Sequence, residues 1–227
     1  MSSILGGSGT RARSSYKALP LIGCQWIEIS KGVLEGVNSM AKNTKIVRAE
    51  SIVSQRLTKI KFQHLRHVIV LTGYNNDGKT SVLKALIAEI YRRNPNGWRA
   101  PRKYDSARVE ISVEKRNVEY QAIFEYCGVR IAITTAGDAS NIVAWNFEYC
   151  AKYNVEIGIM AVRVSAGEKK VAAAEYAYRK ARSMVSATEH VVDIAGKKIR
   201  EKERRNVVEQ IIGILDGLTK SKKEDGE

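Results

Sequence analysis

Gly73, Gly78, Lys79 and Thr80 lie in the run GYNNDGKTS, residues 73 to 81, with the spacing G-x-x-x-x-G-K-[ST]. That spacing is chemistry for a polyphosphate. Successive backbone N–H groups of a curled loop converge on phosphate oxygens at the N-terminus of a helix, where unpaired donors already point outward. Gly73 and Gly78 permit the curl, since a residue without Cβ tolerates positive φ and lets the backbone close on an anion. Lys79 sets an ammonium against the β and γ oxygens of a triphosphate, and Thr80 offers its hydroxyl to Mg²⁺. Asn75, Asn76, Asp77 and Ser81 complete the candidate nucleotide-binding set.

The flanks are those such a loop requires. An apolar, β-branched run (HVIVLT, 67 to 72) precedes it, and Val82, Leu83, Leu86 and Ile87 follow at spacings that line one face of a helix. On Gly73, Gly78, Lys79, Thr80 and these flanks the chain resembles the P-loop NTPase superfamily. The resemblance implies a three-layer α/β fold with a mostly parallel, doubly wound sheet, and ATP and Mg²⁺ as ligands.

The 227 residues suffice for one α/β domain with appendages. A hydrophobic content of 44% is ordinary for a water-soluble domain, and no apolar stretch has the length of a bilayer span, so no membrane partner is expected. Cys24, Cys127 and Cys150 are odd in number and widely spaced, which suits reduced thiols and a cytoplasmic location. Net charge is +14, and residues 1 to 66 carry eleven Lys and Arg against three Glu. Such an excess suits either a nucleic-acid or protein partner or an ordinary solvated extension.

Residues 1 to 17 read as a disordered basic arm, 18 to 66 as an extension of mixed patterning, 67 to 219 as the nucleotide-binding domain and 220 to 227 as a charged tail. Within the extension, Gly32 and Gly36 weaken a helix, while residues 45 to 65 read as a helix leading into a strand. Residues 94 to 103 hold two of the three prolines and read as a loop. Beyond it come extended segments from 107 to 135, the last of them a continuous apolar run suited to a strand buried on both faces. A helix is expected from 140 to 153, a strand from 155 to 164, a helix from 168 to 183, a strand from 190 to 194 and a charged helix from 197 to 218.

In doubly wound sheets ligands sit beyond the carboxyl ends of the strands, which singles out Gly73, Asp138, Arg163 and Asp193. Asp138 stands as the acidic residue of the metal shell, or as the cap of the helix that starts near Ser140. Arg163 closes a buried strand, where a guanidinium stabilises charge developing on a phosphoryl group, or it is a surface residue of a strand end. Lys79, Asp138 and Arg163 are thus the candidate catalytic set, and Thr80 and Asp138 the candidate metal ligands. Arg92, Arg93, Arg99 and Arg102 are candidates for an arginine-bearing lid or a plain basic loop. His64, His67 and His190 have no ligand spacing and read as structural.

The order GYNNDGKTSVLKAL, VEYQAIFEYCG, VRIAITTAGD and VEIGIMAVR, spanning about 68 to 164, also resembles a group of small prokaryotic P-loop proteins. That resemblance implies a nucleotide-kinase-like core and an ATP hydrolase or phosphoryl transferase, with Asp138 and Arg163 carried over. A second likeness is to ABC-type ATPases of DNA repair, through G-x-N-x-x-G-K-[ST]-[ST] and the run Ser165-Ala-Gly-Glu168. It implies a dimeric ATP clamp with Asp193 in the acidic role, and the alternative function is accordingly an ABC-type ATPase or a nucleotide-dependent switch acting on nucleic acid or a partner protein through the basic arm and the 197 to 205 helix. Ile194 stands where that family has a catalytic Glu.

Overall fold

A computed structural model describes residues 31–94, 119–165 and 172–224. The basic arm, Arg99, Arg102 and the Ala166 to Lys170 stretch lie outside the described residues.

Among the described residues ten elements follow in the order α1 (Lys31–Leu57), β1 (His67–Gly73), α2 (Lys79–Arg93), β2 (Gln121–Tyr126), β3 (Val129–Thr134), α3 (Ser140–Lys152), β4 (Ile157–Arg163), α4 (Ala173–Ser183), β5 (Thr188–Asp193) and α5 (Glu201–Glu224). The strands form one sheet in the order β2-β3-β4-β1-β5. β3, β4, β1 and β5 are parallel, whereas β2 runs antiparallel to β3. The α/β class and the mostly parallel sheet are therefore as expected from the alternating pattern.

Alternation along the strands builds two cores. Ile69 and Leu71 of β1, Ile131 and Ile133 of β3 and Ile159 of β4 pack on α2 and α5. Val68 and Val70, Ala132, Met160 and Val162 face the other way, toward α1, α3 and α4. Side chains two apart share a face of a strand, so runs that are apolar throughout bury both faces. This gives helix, sheet and helix layers. Each large aliphatic side chain so buried contributes about 1.5–3 kcal/mol relative to exposure.

Two elements differ from the sequence expectation in extent. α1 runs without a break through Gly32 and Gly36, and Ala49, Val53 and Leu57, at i, i+4 and i+8, anchor its second half in the core shared with α3 and α4. Tertiary packing here outweighs the cost of two glycines of about 1 kcal/mol each. α5 begins at Glu201, after a turn in which Gly196 takes φ 77°, and reaches Glu224 through residues expected as a charged tail. Lys and Glu are good helix formers, so charge alone does not end it. Among the described residues no helix is long and apolar enough to cross a membrane.

Candidate nucleotide-binding site

Because β1, β3, β4 and β5 are parallel, their carboxyl ends meet along one edge of the sheet. Gly73 lies beside Arg163 in the β1–β4 register, and Thr72 beside Asp193 in the β1–β5 register. The chain leaves β1 at Gly73, turns through residues 74 to 78 and enters α2 at Lys79. Asn76 (φ 66°) and Gly78 (φ 96°) both take the left-handed conformation, and Gly78 is the N-cap of α2 with no side-chain cap. The first-turn N–H groups of α2 therefore have no capping side chain competing for them, which is the condition for anion binding at a helix start.

Asp77, only 6% exposed, holds this turn. Its Oδ2 accepts the Tyr74 N–H at 2.7 Å and the Gly196 N–H at 2.8 Å. Ile199 packs on the other side of the loop, 3.3 Å from where a Cβ on Gly78 would lie. The segment between β5 and α5 thus braces the loop from behind.

Lys79 is 7% exposed and folds back on the loop, its Nζ donating to Gly73 O at 3.0 Å and Tyr74 O at 2.7 Å. Carbonyls hold the ammonium without neutralising it. Burial pushes its pKa below the ordinary lysine value, against Asp138 and Asp77, which raise it; Arg163 lowers it and Glu119 raises it. All four charges are therefore within electrostatic reach of Lys79. The structure brings together Lys79 and Thr80 at the start of α2, Asp138 in the turn after β3 and Arg163 at the end of β4.

Asp138 is exposed, in the turn after β3. The cap of α3 is Ala139, which has no side-chain cap hydrogen bond, so the capping role considered for Asp138 is not seen. Gly137 before it cannot carry a side chain: a Cβ there would stand 1.8 Å from Ala161 O. Together with the Arg163 N–H to Gly137 O bond of 3.0 Å, this packs the Asp138 turn directly on β4.

Asp193 is used differently. Its Oδ1 accepts the Thr72 hydroxyl at 2.7 Å and the Ala195 N–H at 3.2 Å, and its backbone carbonyl accepts Lys197 Nζ at 3.1 Å. These bonds tie the end of β5 to β1. Arg92 and Arg93 pair with Glu89, and Arg93 also with Glu209, at the far end of α2. That is about 20 Å along the helix from Lys79. His67 and His190 face each other with ring nitrogens 3.4 Å apart, away from the loop on the starting halves of β1 and β5. Cys127 and Cys150 are free thiols, and burial raises that of Cys150 to about 12.

Sequence reasoning missed Glu119. Its Oε1 accepts the Thr80 hydroxyl at 3.3 Å, and its Oε2 accepts the Thr135 hydroxyl. The rule followed for candidates looked only at residues closing parallel strands. β2 is antiparallel, so its beginning, not its end, reaches the same edge. The signal available was the pairing of QAIFEY (residues 121 to 126) with VRIAIT through the Cys127-Gly128 turn, both residues of which have positive φ.

Mg²⁺ is bound through one or two carboxylates together with substrate phosphates and water. Thr80, Glu119 and Asp138 fit that need as one hydroxyl and two carboxylates, and the Thr80 hydroxyl hydrogen-bonds a carboxylate already. No family profile, curated protein or solved structure matches the chain.

Proposed function

We propose that this chain is a Mg-ATP-binding P-loop NTPase, an ATP hydrolase or kinase-like phosphoryl transferase. One observation carries the reading: the buried Lys79 ammonium rests on two carbonyls of its own loop, at the start of a helix whose N-cap leaves its N–H groups uncapped. A cation so placed exchanges carbonyls for phosphate oxygens without first breaking an ion pair.

In this reading the loop N–H groups and Lys79 hold the β and γ phosphates, Asn75, Asn76 and Ser81 line the loop, and Thr80 contacts the metal. Bound Mg²⁺ supplies charge neutralisation on the phosphate oxygens. Asp138 adds negative charge for the metal shell, and Arg163 offers a guanidinium to charge that develops on the transferred phosphoryl group. The alternative, an ABC-type ATPase or nucleotide-dependent switch with Asp193 in the acidic role, has less support. The Asp193 carboxylate is already taken by Thr72 and Ala195.

Titration calorimetry of the full chain with Mg-ATP tests the proposal. Lys79→Ala should lose at least tenfold in affinity while keeping its circular dichroism, since among the described residues the Lys79 ammonium bonds to carbonyls of its own loop. Equal affinity in wild type and variant would sink it.

A further inference from the structure

The carboxylate nearest the Thr80 hydroxyl belongs to Glu119, on an element that enters the site backwards. β2 pairs antiparallel with β3, Gln121 beside Thr134, so the two residues before β2 lie over the turn after β3. Backbone bonds fasten that crossing: Thr135 N–H donates to Tyr120 O at 3.0 Å, and Tyr120 N–H donates to Thr135 Oγ1 at 2.8 Å. Thr135 Oγ1 in turn donates to Glu119 Oε2. One oxygen of the carboxylate is therefore tethered to β3, and the other is turned to Thr80 at 3.3 Å.

A hydroxyl has one proton and two lone pairs. When the proton is committed to a carboxylate, both lone pairs turn away from it and the oxygen becomes a stronger ligand for a hard cation. Left to itself, the Thr80 proton has the Thr135 carbonyl as its other acceptor, at 3.4 Å. The charged acceptor wins that competition, because charge-assisted hydrogen bonds are roughly twice as strong as neutral ones.

We propose that Glu119 is the positioning residue that orients the Thr80 hydroxyl toward Mg²⁺, a role taken here by a carboxylate just ahead of the antiparallel strand. Asp138 and Glu119 then divide the acidic work, Asp138 within electrostatic reach of Lys79 and Glu119 bonded to Thr80. The inference rests on the nucleotide-binding reading above.

The test is calorimetry of the full chain with a non-hydrolysable ATP analogue, with and without Mg²⁺, together with electron paramagnetic resonance of bound Mn²⁺. In Glu119→Gln the metal-dependent gain in affinity should fall about tenfold, the scale of lost outer-shell partners at metal sites. Metal-free affinity should stay at the wild-type value, and Glu119→Asp should recover part of the gain. A wild-type metal dependence and an unchanged Mn²⁺ spectrum in Glu119→Gln would overturn the role of Glu119 and leave the nucleotide reading standing. A wild-type protein that binds the analogue with no gain from Mg²⁺ would overturn the role of Glu119, and one that does not bind it with or without Mg²⁺ would overturn both. Glu119 is exposed, and a loss of metal-free affinity in step with the metal-dependent part would mark a merely structural residue and overturn the proposal as well.

Discussion

Asp77 and Gly196 meet in a 2.8 Å hydrogen bond across 119 residues of chain. The bond joins the turn that begins α2 to the turn that begins α5, and its acceptor is the same oxygen that takes the Tyr74 N–H. Loop curvature and the seating of α5 are thereby coupled through one buried carboxylate. Asp77→Ala should cost about 2 kcal/mol of stability, the scale of hydrogen bonds to a charged group, and should weaken nucleotide binding with Lys79 intact. Urea denaturation gives the first number and calorimetry the second; a variant as stable as wild type would show that the brace is not needed.

Lys79 leads to a pH dependence with two opposite signs. Burial lowers its pKa from the ordinary lysine value, so the folded chain releases this proton at a lower pH than the unfolded chain. Between the two pKa values the unfolded state binds more protons, and stability from this group rises with pH. Binding runs the other way, since a polyphosphate needs the ammonium. ATP affinity of the free protein should therefore begin to fall below the pH at which an exposed lysine titrates. Thermal denaturation of wild type and Lys79→Met over the alkaline range isolates the first effect, and calorimetry over the same range the second. Affinity that stays level up to the titration of ordinary lysines would contradict the account.

Asp138 and Asp193 separate by their partners. Asp138 is exposed and within electrostatic reach of Lys79, while Asp193 is bonded to Thr72 and Ala195. Asp138→Asn should depress turnover by about tenfold or more with nucleotide binding largely kept, the pattern of an interaction needed in the transition state. Asp193→Asn should change turnover little, because an amide oxygen still accepts the Thr72 hydroxyl. Steady-state kinetics on the two variants decides between them, and the reverse order would favour the ABC-like alternative.

Local patterning sufficed for every strand of the sheet and for helices α2 to α5, because apolar runs and helical spacings are short-range features that burial on a layered core rewards directly. The strand, turn and helix around GYNNDGKTS were legible for the same reason, since the pattern lies within a few consecutive residues and their flanks. What local pattern does not contain is strand direction. That β2 reverses against β3 follows from a two-residue turn at Cys127-Gly128 and from pairing, and it alone carries Glu119 to Thr80. Likewise Asp77 and Asp193 are both acids near strand ends in the sequence. Only the packing of the β5–α5 turn against the loop made Asp77 its brace and Asp193 a tie between strands. α1 shows the same division at the level of an element: two glycines argue against a helix locally, and the helix persists because Ala49, Val53 and Leu57 find a core they share with α3 and α4, far along the chain.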